Sequence, residues 1–309
     1  MVLACTESST YSTFWVIAVG CAPRFLNCLG VFVNNLINAG ASSHTIPFLR
    51  IACATVIMLP MIFIKGGFKS LRIDKRGLFF CVLLGVFCQA IFNFSYTKAI
   101  GSAGMSIAVA LLYTSPVFVC IMSRILLKEM ITVSKLTALF VNIAGCVLAV
   151  TGGDFSAAKV SAAGIVFGII SGFLYGLTTI IGKLATDRYD PVIVSFYSIA
   201  SGTVIMTLIA APWNNLADIF SFKILLLGLG YGAVCTVMPF ILYFVGLRKI
   251  TETSKVPVFA SVETIVATGA GAAFFDESIS LLKITGIALV IISIVIMNSG
   301  ENGKHDTMK

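Results

Sequence analysis

An all-α membrane protein, with ten transmembrane helices laid out as two inverted five-helix repeats, is the fold class this sequence predicts, and three observations predict it. Hydrophobic residues make up 58% of the 309 residues and charged residues 11%, where a soluble domain carries roughly a quarter of its residues as charges. The mean hydropathy is +1.03. The apolar stretches recur at about the 20-residue length a helix needs to cross a bilayer. Short motifs recur in the two halves at one shared displacement. No sizeable soluble domain fits in what remains.

Apolar periods separated by polar or Gly/Pro breaks give the spans in order. They run approximately from Thr13 to Leu36, Ile46 to Ile64, Gly77 to Thr97, Gly104 to Leu127, Ile131 to Thr151, Ser161 to Ile181, Pro191 to Pro212, Phe222 to Leu247, Val256 to Phe275 and Ile279 to Asn298. The runs are long and continuous, unlike the alternating segments of about ten residues that build a membrane barrel. The first run has no basic region before it and exceeds twenty residues, so it reads as a retained helix and not a cleaved signal.

The net charge of +8 does not point to nucleic acid, because Lys and Arg sit between the apolar runs and form no dense stripe. About fifteen of them fall on one side: Lys65 to Arg76, Arg124 to Lys135, Lys183 and Arg188, Arg248 to Lys255, Lys304 and Lys309. Lys98, Lys159, Lys223 and Lys283 fall on the other. The positive-inside rule makes the rich side cytoplasmic, so both termini are expected in the cytosol and the protein in the cytoplasmic (plasma or inner) membrane. Eight of the nine Cys lie inside apolar runs, no CxxC occurs and the two His lie in a loop and the tail. Neither a metal nor another cofactor is expected.

Sliding the chain against itself finds Thr55-Val-Ile-Met58 again as Thr203-Val-Ile-Met206, Lys135-Leu-Thr137 as Lys283-Ile-Thr285, Glu129 as Glu277 and Gly20 as Gly168, each displaced by about 148 residues. Five spans per copy is an odd number, so the second copy enters the bilayer upside down, the architecture of secondary transporters with a site near the midplane. The expected units are 1–152 and 161–309, joined by a linker over 153–160.

Ionisable groups deep in a span are functional hypotheses by default. Glu263 lies near the middle of the ninth run and Arg24 at similar depth in the first, with Pro257 and Pro23 beside them to permit kinks. They read either as a structural ion pair or as two poles of a cavity. In the second case Arg24 meets a carboxylate or phosphate, and Glu263 meets an amine or carries the coupling proton. Mid-span polar and aromatic residues that could line the same space are Asn27, Gln89, Asn93, Tyr113, Ser115, Tyr175, Tyr231 and Thr236, each with an interhelical hydrogen bond as its alternative role. Arg50 reads as a snorkelling or interhelical residue, and Glu129 and Glu277 as loop anchors or gates.

The stretches Tyr96-Thr-Lys-Ala-Ile, Leu112-Tyr-Thr-Ser-Pro116-Val-Phe and Ser123-Arg-Ile-Leu-Leu-Lys-Glu129, with Tyr231-Gly-Ala-Val-Cys-Thr236, Tyr243-Phe-Val-Gly-Leu-Arg-Lys-Ile250, Ser261-Val-Glu263 and Phe275-Asp-Glu277 in the second half, resemble the EamA-like branch of the drug/metabolite transporter superfamily. The resemblance covers nearly the whole chain. It implies ten helices as two inverted repeats and transport of small organic metabolites, often amino acids or their relatives, by alternating access. The family's Trp-Gly early in the first helix is replaced here by Ala22-Pro23-Arg24-Phe25-Leu26-Asn27, and its Glu-Pro pattern in the ninth by Val262-Glu263-Thr264. The expected function is therefore carriage of a small polar metabolite, amphoteric because the two deep charges differ in sign, by a protein that works as a monomer. Export of cationic or aromatic drugs is the alternative within transport. A channel or an intramembrane enzyme is the alternative outside it; no GxSxG, HExxH or filter-like loop occurs in the sequence, and no catalytic residue is expected.

Overall fold

The structure is a computed structural model that describes residues 32, 35–41, 45–153, 161–210, 221–274 and 280–305. Its described elements are helices. In chain order they are α1 (Thr45–Ser70), α2 (Lys75–Leu83), a π-helical segment (Leu84–Ile91), α3 (Phe92–Ala103), α4 (Met105–Leu112), α5 (Ser115–Leu126) and α6 (Val133–Thr151). The second half supplies α7 (Ala162–Thr186), α8 (Pro191–Ala210), α9 (Phe222–Gly232), a second π-helical segment (Ala233–Val237) and α10 (Met238–Lys249). A 3₁₀ turn (Thr253–Lys255), α11 (Val256–Ala260), α12 (Val262–Phe274) and α13 (Leu281–His305) complete it.

Eight of the described helical rods are long and apolar enough to cross a membrane, and they correspond to the second to eighth and the tenth of the expected spans. The first span falls mostly outside the described residues. The ninth is present but broken: α11 stops at Ala260, Ser261 forms a turn and α12 starts at Val262. Large apolar side chains such as Ile64, Phe222 and Phe140 are exposed on the helices. Backbone satisfied inside each helix with apolar groups turned outward is what a bilayer requires, and the chain is an integral membrane protein.

Local chemistry sets the helix ends. Asp74 caps α2 by accepting from the Gly77 amide at 2.8 Å, and Thr132 caps α6 by accepting from the Lys135 amide at 3.3 Å. Gly152 closes α6 with φ at 62°, a left-handed conformation that a side chain would oppose. Pro191 opens α8, where its missing N–H costs nothing.

The chain divides into two compact units, and each draws on both halves of the sequence. The first unit holds the described residues of Phe92–Ile180 and Ile250–Lys309. In it α6 lies along α13 so closely that a Cβ on Gly286 would come within 2.7 Å of the Gly145 carbonyl oxygen. Small residues permit that approach where there is no hydrophobic drive between helices in lipid.

The second unit holds the described residues of Cys21–Ile91 and Ile181–Lys249. Its core joins Ile51, Ala54, Met58 and Ile62 of α1 to Val192, Phe196, Ile199 and Met206 of α8, with Val237 beside them. The motif residues Thr55 and Thr203, 148 residues apart, share a hydrogen bond of 2.9 Å between their hydroxyls. Two helix crossings flank them and match in two backbone atoms each, although the Ser201 hydroxyl that also meets Gly85 has only the Cys53 Cβ as its counterpart at Gly232. A Cβ on Gly85 would lie 2.7 Å from the Ser198 oxygen and 2.6 Å from the Gly202 nitrogen; one on Gly232 would lie 3.0 Å from the Arg50 oxygen and 2.8 Å from the Ala54 nitrogen.

Candidate functional site

In the first unit the chemistry gathers where two helices break. One break separates α4 from α5 at Tyr113 and Thr114, with Pro116 in the first turn that follows. The other is the Ser261 turn between α11 and α12, with Pro257 opening α11. The breaks face each other, and the Thr264 hydroxyl donates to the Tyr113 hydroxyl at 2.7 Å. The buried Asn142 of α6 ties the second break in place. Its amide donates to the Ser261 hydroxyl at 2.6 Å and to the Ser293 hydroxyl of α13 at 3.0 Å. A fully buried amide that satisfies two hydroxyls on two other helices is structural glue of the kind expected inside a membrane.

Glu263 stands in the first turn of α12, two residues past the turn. The positive end of the helix dipole favours a carboxylate there. Tyr96 and Tyr113 lie within electrostatic reach of it. Glu263 takes no part in the ion pairs found among the described residues, Lys135–Glu252, Lys183–Asp187 and Lys255–Glu252. An aromatic row stands in the same unit: Phe92 stacks on Tyr96 with ring centroids 5.8 Å apart and meets Tyr175 of α7 at 5.9 Å. Asn93 is half-buried on α3, next to Phe92, and Ser115 is buried as the first residue of α5.

A polar clamp holds the start of α11 against the loop after α5. The Glu129 carboxylate accepts from the Thr253 amide at 2.6 Å and from the Ser254 amide at 3.0 Å, which is the anchoring role expected of it. Lys135 and Lys255, both buried, pair with Glu252 at 3.2 and 2.9 Å, and Lys135 also donates to the Met130 carbonyl at 3.0 Å. Burial pushes the Glu252 carboxyl up, but the neighbouring Lys255 and Lys135 ammonium groups outweigh that and hold it below its ordinary value.

The second unit carries the remaining expected residues. Gln89 is buried in the first π-helical segment and Thr236 in the second, where the wider turn displaces side chains from the ordinary helical pattern. The Thr236 hydroxyl is buried with no hydrogen-bond partner among the described residues. Tyr231, 3% exposed, is the penultimate residue of α9. It stacks on Phe32 at 5.7 Å and carries the Arg50 guanidinium over its ring at 5.9 Å. Arg50 is thus an interhelical contact between α1 and α9, as expected of it.

Of the ten residues expected to line one space, eight are described, and they are divided between the two units. The first unit brings together Tyr113 and Glu263 and holds Asn93, Ser115 and Tyr175. The second holds Gln89, Tyr231 and Thr236. Arg24 and Asn27, and with them the expected pairing of Arg24 with Glu263, lie outside the described residues. Tyr96, Asn142, Ser261 and Thr264 belong to the first unit but were not among the expected lining. Asn142 is a mid-span amide of the same type as Gln89 and Asn93, so the rule that selected those two would have found it. Among the described residues no group of three or more His, Cys, Asp or Glu could hold a metal ion.

The sequence model of the EamA-like transporter family matches the chain twice, over residues 13–151 and 162–299. An uncharacterized transporter of Archaeoglobus fulgidus is 28% identical over 275 residues, covering 88% of this chain and 91% of its own length. An uncharacterized transporter of Bacillus subtilis is 21% identical over 265 residues, covering 85% and 83%. A solved protein crystal structure superimposes with a TM-score of 0.73 at 13% identity, over 92% of this chain and 96% of that one, which is a likeness of fold.

Proposed function

The chain belongs to the EamA-like transporter family of the drug/metabolite transporter superfamily, and on that premise we propose that it is a secondary carrier of a small amphoteric metabolite, an amino acid or a close relative. It is a multi-span α-helical membrane transporter and not an enzyme. In the proposed mechanism ten helices form two inverted five-helix repeats in the cytoplasmic membrane, with both termini cytosolic, and one part rocks against the other to alternate access. The two separate matches of the family model and the hydrogen bond between Thr55 and its counterpart Thr203 support the repeats.

The observation that carries the reading is Glu263: a carboxylate on a broken helix within a span, beside two tyrosines, in none of the ion pairs found among the described residues. It takes the amine of the solute or the proton that drives it, and Tyr96, Tyr113 and the aromatic row frame the organic part. Arg24 and Asn27 complete the site in this reading. The row Phe92–Tyr96–Tyr175 also favours a second solute class, organic cations, which an anion bordered by aromatic faces holds well.

The test is counterflow in proteoliposomes at two pH values, with labelled amino acids in one arm and organic cations in the other. Saturable exchange of the first class, abolished together with its pH dependence in Glu263→Gln, is the expected result. Wild-type, pH-dependent exchange in Glu263→Gln excludes coupling through this residue, and exchange of cations alone selects the second solute class.

A further inference from the structure

In the second unit the loop between α1 and α2 is pinned to α8 and to the turn before it by two tyrosines. The Tyr197 hydroxyl donates to the Leu71 carbonyl at 2.7 Å, and the Tyr189 hydroxyl donates to the Asp74 carboxylate. Leu71 itself packs against the core of that unit. Four exposed bases stand on this pinned surface: Arg72, Lys75 and Arg76 from the first segment and Arg188 from the second. Arg76 lies within electrostatic reach of Asp74, and Arg188 within reach of Tyr189. The Asp74–Tyr189 contact therefore draws the charges of the two segments together.

The acids beside these bases are committed elsewhere. Asp74 also accepts from the Gly77 amide at 2.8 Å, Asp187 pairs with Lys183 at 2.9 Å, and Asp190 accepts from the Val192 amide at 2.8 Å. None of the four bases takes part in an ion pair found among the described residues. Like charges gathered on a fixed surface repel one another, and an anion relieves that repulsion.

The neighbouring surface decides which anion fits. Lys75, Leu78, Phe79 and Val82 follow the i, i+3, i+4, i+7 spacing of one helix face, and the three apolar members are 42%, 60% and 39% exposed. They open a segment long and apolar enough to cross a membrane, so the bases stand at the head of an apolar stripe that runs into the span. A soluble phosphate would use the bases alone. A phospholipid uses both, with its phosphate on the bases and its acyl chain along the stripe.

We propose that the four bases bind the headgroups of anionic glycerophospholipids whose acyl chains lie along Leu78, Phe79 and Val82. Such a surface is independent of Glu263 and of the solute carried.

The experiment follows the melting temperature of the full-length protein in neutral detergent as dioleoylphosphatidylglycerol is added. Dioleoylphosphatidylcholine, glycerophosphate and inorganic phosphate form the matched arms. A saturable rise with phosphatidylglycerol, given by neither the zwitterionic lipid nor the two soluble phosphates, is the expected result. Arg72→Gln, Lys75→Gln, Arg76→Gln and Arg188→Gln should each keep the lipid-free melting temperature, because each base is exposed and outside the ion pairs, and each should raise the half-saturating lipid concentration by about five-fold. Lys128→Gln, at an exposed base of the other unit, should leave that concentration unchanged. If one of the four variants yields too little folded protein, the other three carry the test. The proposal is overturned if phosphatidylglycerol does not stabilise the wild type, if phosphatidylcholine or a soluble phosphate does so equally, or if the four variants respond as the wild type does.

Discussion

The two breaks in the first unit share their place in the sequence order, and among the residues that differ between them one carries a charge. Past the α4–α5 break comes Ser115, 3% exposed; at the matching position past the α11–α12 break comes Glu263. One break is made with a neutral hydroxyl and the other with a carboxylate, so a break in a membrane helix does not of itself need a charge. What holds the second break is the neutral Asn142–Ser261 contact. The difference assigns Glu263 to something other than the shape of the chain around it.

Moving the charge from one break to the other puts most stress on this comparison. Ser115→Glu buries an unpaired carboxylate at a cost of several kcal/mol, and size-exclusion of the solubilised variant is expected to show no folded peak. The reciprocal Glu263→Ser should retain the wild-type melting temperature while exchange in proteoliposomes falls by about 100-fold, the loss of about 2–3 kcal/mol of charged contact. A Glu263→Ser protein that unfolds instead would make the carboxylate structural and erase the distinction. Next in size is Asn142→Leu. It leaves the Ser261 and Ser293 hydroxyls without their donor, for a loss of about 1–3 kcal/mol and a melting point several degrees lower. The counterpart of Asn142 in the other half is Val290, fully buried and apolar, so Val290→Asn gives no matching gain.

The smallest effect concerns the clamp at the start of α11. Glu252 is held below its ordinary value of 4.5 by Lys255 and Lys135 against the pull of burial. A carboxyl lowered on folding adds stability that is present above its unfolded value and is lost as pH falls through the folded one. The melting temperatures of wild type and Glu252→Gln should therefore differ at neutral pH and converge on acidification below that value. Curves that stay parallel would mean that the two lysines do not act through this carboxylate.

The spans were legible because lipid imposes one period and one length on them; seven of the expected segments reappear as rods within a few residues of their expected ends, and an eighth, Ile279 to Asn298, returns as α13. The ninth was legible as apolar but not as broken. Pro257 marked it, yet the break falls four residues later at Ser261, where the Asn142 amide from another helix competes for the hydroxyl. That is a tertiary cause with no trace in the run itself. Glu263 and Tyr113 were chosen for charge and polarity at depth, and they lie within electrostatic reach of each other. Tyr96 and Thr264 were missed although the rule that selected Tyr113, Tyr175, Tyr231 and Thr236 would reach them; what singles Thr264 out is its hydroxyl contact with Tyr113 across the break. That Gln89, Tyr231 and Thr236 belong to one compact unit and Glu263 to the other was out of reach, since each unit interleaves helices from both halves.

The π-helical segment Ala233–Val237 carries one residue more per turn than its flanks. Its spacing is therefore sensitive to length as well as to composition. Removing that one residue would let the rod relax to regular α-helix with α10 kept in register, whereas removing one from the regular turns of α9 would swing α10 by about 100° about its own axis. Phe244, now wholly enclosed, would then turn away from its socket although no side chain had been exchanged. Alignments of this region that place a one-residue gap in those regular turns would misplace every later contact, and variants that differ there by insertion or deletion should be read as changes of shape.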